Sequence, residues 1–215
     1  MIDTVIFDLG GVLIDWNPRY LFRKLFTDEQ EMEHFLTHIC SPDWNEEQDA
    51  GRTLAEATEW LVARHPEHEP NIRAYYGRWE KMLGGVFEAG VEALRKLTQE
   101  TDYQVYALTN WSAETFEIAL RKYDFLHWFD GIVVSGTEKT RKPFPEFYHI
   151  LLDRYSVEPQ KALFLDDNLR NIEAAQQLDI HAVHITDPNM IPDVLKCLPQ
   201  RPPNPRRGAN KNSII

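Results

Sequence analysis

The chain has 215 residues, 43% of them hydrophobic, enough for one sizeable core with room for an inserted subdomain. Its formal net charge of −11 argues against nucleic acid, whose binding needs clustered Lys and Arg, and requires any anion site to be built locally from a cation, a lysine and backbone N–H groups. No apolar run approaches the ~20 residues of a membrane span, and Asp3 and Asp8 interrupt the only apolar stretch near the N-terminus, so neither a membrane anchor nor a signal segment is expected.

Residues 5–8 read as a buried strand that ends in an acid, with Gly10 and Gly11 following at once. Asn17-Pro18 predicts a helix start, an N-cap followed by Pro at the first helical position. Thr27-Asp28-Glu29-Gln30 has the form of a capping box ahead of Met32, Phe35, Leu36 and Ile39 at helical spacing. Thr53-Leu54-Ala55-Glu56 is a second box, and residues 71–82 predict another helix. No strand is expected between Trp16 and Gly85, so residues 16–85 form a helical insertion of roughly 70 residues.

From Val86 on, helices and strands alternate. Strands are expected at 104–109, 131–135, 162–166 and 181–185, with helices at 91–98, 112–122, 145–155, 169–178 and 189–198. Alternation of this kind implies a parallel, Rossmann-like sheet whose ligands bind at the carboxyl ends of its strands. The expected organisation is an α/β core over 1–15 and 86–198, a helical cap over 16–85, and a flexible tail over 199–215, where Pro, Arg, Asn and Gly replace the apolar residues. Cys40 and Cys197 fit neither a disulfide framework nor zinc spacing, which leaves free thiols in a reducing, cytoplasmic setting.

Four segments fall beside strand ends: Asp8 with Gly10; Thr109-Asn110; Arg141-Lys142-Pro143; and Asp166-Asp167-Asn168. Phosphoryl transfer to a carboxylate needs an oxygen nucleophile in line with phosphorus and a hard divalent cation to offset anion–anion repulsion. Asp8, Asp166 and Asp167 supply oxygens for both tasks, although one of the paired acids could instead cap the helix near Asn168. A threonine hydroxyl at a strand end and a lysine held extended before proline would complete an anion site.

These segments resemble the four motifs of the haloacid dehalogenase-like hydrolase superfamily, over residues 1 to about 198. The resemblance implies that Asp8 is a nucleophile forming an aspartyl-phosphate, that Thr109 and Asn110 bind phosphate, and that Lys142 steadies the charge. It also implies that Asp167, Asp166, Asp8 and the Gly10 carbonyl hold Mg²⁺. Phosphatases of the superfamily usually carry an acid two positions after the nucleophile, and here that position is Gly10. The loss of a general acid is worth ~10²–10⁴-fold. A good leaving group, a cap residue or a water could replace it. The Asp-Leu-Gly pattern resembles bacterial sugar-phosphate phosphatases of the glucose-1-phosphate type. The expected activity is therefore Mg²⁺-dependent hydrolysis of a small phosphomonoester, with metal-independent 2-haloacid dehalogenation and a non-catalytic family member as alternatives. A phosphonoacetaldehyde-type hydrolase would need a reactive cap lysine, for which Lys24 and Lys81 lack context. Trp16, Trp44 and Trp111 are candidates to line the substrate crevice, whereas Glu46, Glu47 and Asp49 are expected on a solvated cap face.

Overall fold

The computed structural model describes residues 1–203 of the chain. Its strands are β1 (Thr4–Phe7), β2 (Ile14–Trp16), β3 (Leu83–Val86), β4 (Gln104–Thr109), β5 (Gly131–Val134), β6 (Ala162–Asp166) and β7 (His181–His184). Five of them form one parallel sheet in the order β5-β4-β1-β6-β7, as the alternation of elements predicts. The strand order reverses between β4 and β6 on either side of β1, and the crevice at that switch point is where such sheets bind ligands.

Burial on both faces explains the near-continuous apolar runs of β1, β4 and β6. Side chains alternate across the sheet. Val5, Phe7, Val105, Ala107 and Leu165 face one hydrophobic cluster, whereas Ile6, Tyr106, Leu108 and Phe164 face another. Five helices precede β3: α1 (Arg19–Phe22), α2 (Glu29–His34), α3 (Pro42–Asp49), α4 (Leu54–Val62) and α5 (Glu69–Gly77). Among the described residues six α-helices follow it: α6 (Glu88–Glu100), α7 (Ala113–Lys122), α8 (Ser135–Glu138), α9 (Pro145–Tyr155), α10 (Leu169–Gln177) and α11 (Ile191–Lys196). Leu94 and Phe116, from α6 and α7, join the first cluster, and Phe147 and Ile172, from α9 and α10, join the second. The sheet is thus covered on both sides.

Helices α1–α5 form the cap. Phe22, Phe35 and Tyr75 are its aromatic centre, with ring centroids 5.1 Å (Phe22–Phe35) and 5.8 Å (Phe22–Tyr75) apart. The second capping box is present at Thr53 and Glu56. The first is not: Asp28 rather than Thr27 caps α2, accepting from the backbone N–H groups of Gln30 and Glu31. The helix expected at 71–82 is split into α5 and a 3₁₀ turn at Trp79–Met82. The connection between cap and core is an antiparallel ribbon of β2 and β3, in place of the strand-free stretch expected between Trp16 and Gly85. Within the expected tail, the Pro199 carbonyl accepts from Tyr103 Oη at 2.7 Å and the Arg201 carbonyl accepts from the Asp102 N–H at 3.1 Å. The remainder of that tail, from 204 on, lies outside the described residues. Among the described residues no helix is long and apolar enough to cross a membrane.

Candidate active site

Asp8 directly follows β1. Its backbone N–H donates to the Leu165 carbonyl at 2.8 Å, which extends the β1–β6 ladder by one residue and fixes where the side chain begins. The residue is 8% exposed. Its Oδ1 accepts from the Leu9 N–H at 2.7 Å and lies 3.0 Å from Lys142 Nζ. Among the described residues Oδ2 has no protein donor.

Lys142 is fully buried, and its ammonium also donates to Asp166 Oδ2 at 2.7 Å. Burial opposes its charge, but Asp166 and Asp8 outweigh that cost and hold its pKa above the ordinary lysine value. Its main chain is clamped by one side chain: Asn110 Nδ2 donates to the Lys142 carbonyl at 3.0 Å, and the Lys142 N–H donates to Asn110 Oδ1 at 2.9 Å. Asn110, expected to bind phosphate, thus spends both ends of its side chain on positioning the lysine. Asp166 is likewise fully buried, and its Oδ1 accepts from the Asn168 N–H and from Asn171 Nδ2. The N-cap of α10 is Asn168, not either acid.

Asp8, Asp166 and Asp167 offer carboxylate oxygens that all lie within 4.8 Å of one another. Burial pushes the Asp8 carboxyl up to about 8; Lys142 opposes that rise, and Asp166 and Asp167 add to it. Asp167 is raised as well, by burial first and then by Asp166. Three carboxylates gathered this closely form a donor set for a hard divalent cation, which relieves the crowding of negative charge and prefers oxygen. The residues therefore fit Mg²⁺. Thr109 is fully buried at the end of β4, and its hydroxyl has no hydrogen-bond partner among the described residues.

Beside this cluster lies a cleft between cap and core, lined by Gly10 and Asn110 and walled by Trp16, Tyr76, Trp79 and Trp111. The Trp79 and Trp111 rings pack against each other on its wall, with centroids 5.7 Å apart. Glu46 on α3 joins the two halves through Arg141 at 3.0 Å and Arg170 at 2.8 Å.

A profile of the haloacid dehalogenase-like hydrolases matches residues 2–179, a span that contains every residue of this cluster. The chain belongs to that family. Among curated relatives, a sesquiterpene phosphatase of Aspergillus oryzae is 29% identical over 86% of this chain and 90% of that protein. A phosphorylated carbohydrates phosphatase of Thermotoga maritima is 27% identical over 85% and 84%. Among solved structures, a HAD family enzyme of Bacteroides thetaiotaomicron in complex with magnesium and inorganic phosphate superposes with a TM-score of 0.66 at 21% identity, over 85% of this chain and 93% of that one. This last likeness is one of fold.

Within the family frame, several expectations change. Trp16 and Trp111 line the cleft, but Trp44 packs inside the cap, 5.2 Å from Tyr75 by ring centroid. Tyr76 and Trp79 take its place, from a stretch that reads only as helix. Lys24 and Lys81 are exposed and outside the cleft. Asp49 is half-buried in the cleft rather than on a solvated face. His184, whose Nε2 lies 2.9 Å from the Asp167 carbonyl, supports that acid from behind, and no spacing signal announced it.

Gly11 adopts φ +70°, and a Cβ there would stand 2.1 Å from Asp167 Oδ2. Gly11→Ala must therefore displace the Asp167 carboxylate. The expected result is a loss of about 10–100-fold in apparent Mg²⁺ affinity, the scale for a disturbed ligand support, with the fold retained. Activity titrated against Mg²⁺ measures it, and an unchanged half-saturating concentration would show that Asp167 contributes nothing to the metal.

Proposed function

We propose that the protein is a Mg²⁺-dependent phosphatase that hydrolyses a small phosphomonoester through an aspartyl-phosphate on Asp8. The observation that carries this reading is Lys142 Nζ, 3.0 Å from Asp8 and 2.7 Å from Asp166, with Asp167 in the same carboxylate cluster at the switch point of the sheet. Asp8 attacks phosphorus, and the leaving oxygen departs into the cleft. Lys142 faces the nucleophile and balances the negative charge gathered there. Thr109 binds the phosphoryl group, and Asn110 fixes Lys142 beside it. When bound by Asp8, Asp166, Asp167 and the Gly10 carbonyl, Mg²⁺ offsets anion repulsion and withdraws charge from the phosphoryl oxygens. The cap, residues 16–85, excludes water over the core formed by 1–15 and 86–198.

Polar side chains between the aromatic walls, Asn45, Ser112 and Thr115 among them, suit a hydroxyl-bearing leaving group, and we take a sugar phosphate as the substrate class. The relative named for phosphorylated carbohydrates supports that choice. A cytoplasmic location fits the two free cysteines, Cys40 and Cys197. Dehalogenation is disfavoured because a 2-haloacid would bring a fourth carboxylate to three acids that share the single charge of Lys142. The test is a panel of phosphate esters assayed with Mg²⁺ and with chelator, with halide release from 2-haloacids measured alongside. Phosphate release that disappears in chelator is expected. Halide release that persists in chelator, with no phosphate release in Mg²⁺, would replace this reading by dehalogenation.

A further inference from the structure

The family's usual acid is absent at Gly10, so a proton donor must come from elsewhere if an unactivated ester is to be cleaved. Gly10 lines the cleft, and a Cβ built there meets no atom within 4 Å. The space beside the nucleophile is therefore open to groups on the cap. Of the residues lining the cleft, Asp49 alone carries a carboxyl group. The other titratable side chain, Tyr76, is committed elsewhere: its hydroxyl donates to Asn45 Oδ1 at 3.0 Å and accepts from Gln48 Nε2 at 2.8 Å.

We propose that Asp49, the last residue of cap helix α3, is the general acid and base of the reaction. The inference rests on the phosphatase reading above. As Asp8 attacks, the Asp8–phosphorus bond forms, the phosphorus–leaving-oxygen bond breaks, and the Asp49 carboxylic acid delivers its proton to that oxygen. The resulting Asp49 carboxylate then takes a proton from water as the water oxygen attacks phosphorus. The bond to Asp8 breaks, phosphate leaves, and both side chains return to their starting states.

The placement of α3 supports this role. Ser41 caps the helix by accepting from the Trp44 N–H, and Pro42 begins it. Gln48 ties it to α5, and Glu46 anchors it to the core through Arg141 and Arg170. The Asp49 carboxylate accepts from Asn45 Nδ2 at 3.3 Å and lies in reach of the Ser112 N–H. Facing it are Glu46 on its own helix, Tyr75 and Tyr76 on α5, and Arg141 and Lys142 on the core. Burial pushes the carboxyl up to about 7; Glu46 adds to that, and Arg141 and Lys142 oppose it. A group so poised holds a proton to give and can take one back near neutral pH. Because the acid sits on the cap, the proton arrives only when cap and core are together, which couples chemistry to closure.

The test uses the full chain with Mg²⁺ and a series of aryl phosphates from para-nitrophenyl, whose leaving group needs no proton, to phenyl, whose leaving group does. Asp49→Asn keeps the side-chain shape, and thermal melting checks the fold. In that variant kcat/KM for phenyl phosphate is expected to fall ~10²–10⁴-fold, and that for para-nitrophenyl phosphate less than ~10-fold. The double variant Gly10→Asp with Asp49→Asn, which returns an acid to the open space, is expected to recover at least ~10-fold on phenyl phosphate. A structural role would lower both esters alike, so equal losses across the series, or none, would overturn the assignment of Asp49. A wild-type protein inert toward the whole series in Mg²⁺ would instead overturn the phosphatase reading, and this inference with it.

Discussion

Asp8→Asn is expected to lose at least about 10⁴-fold in turnover with the fold intact, the scale seen when a covalent nucleophile is removed. The amide keeps the shape of the carboxylate and its contact with the Leu9 N–H, but it is a poor nucleophile and a weak cation ligand. The same substitution has a second, opposite effect on stability. The Asp8 carboxyl has an ordinary pKa of 3.8 and is pushed up to about 8 in the folded protein. Between those values the folded state holds a proton that the unfolded state has released, so this group makes stability fall as pH rises from about 4 to about 8. The asparagine variant lacks that decline. Without metal it is therefore expected to melt several degrees higher than wild type at pH 8, with the two converging toward pH 4. Calorimetry in chelator checks this, and a variant that melts lower than wild type at pH 8 would mean that the bare acid cluster does not strain the fold.

Lys142→Met is expected to damage both activity and stability. The lysine is fully buried between Asp8 and Asp166, and its removal leaves two carboxylates with no cationic partner. Breaking a buried pair in this way costs about 3–5 kcal/mol at neutral pH. The penalty should shrink as pH falls, because the acids escape it by taking up protons. Turnover should fall by about 10²–10³-fold or more, the loss typical of deleting one charge-stabilising group. Lys142→Arg should not restore it, because the lysine side chain is fully buried with no room for a larger fork and Asn110 holds its main chain on both sides. Urea unfolding at two pH values, with steady-state kinetics, separates the two effects. A Lys142→Met protein with wild-type turnover would remove the lysine from the reaction.

The core and its cluster were legible in the sequence because each element announces itself locally. Apolar runs that end in Asp8, Thr109 and Asp166 can only be central strands of a covered parallel sheet, and the fold carries their last residues to one crevice. The connecting ribbon was not legible. β3 contains Gly84 and Gly85, which weaken a strand signal, and a Cβ at Gly84 would stand 2.2 Å from Asp15 Oδ2 and displace that carboxylate. At Asp28 the competition lay between two neighbouring cap formers, and only the turn geometry decided it. Asp49 was misplaced for a deeper reason. Residues 46–49 look like a solvated acidic face until the cap is docked, and docking depends on Arg141 and Arg170, nearly a hundred residues or more away in sequence. No periodicity records a contact of that kind.

The proposed reaction requires Asp8 to become covalently phosphorylated. The most direct measurement is an acid quench of the full chain during turnover of phosphorus-radiolabelled acetyl phosphate in Mg²⁺, followed by peptide mapping. Label is expected on the peptide containing Asp8, lost in Asp8→Asn and absent in chelator. Steady release of phosphate with no label on that peptide, or label retained in Asp8→Asn, would contradict it.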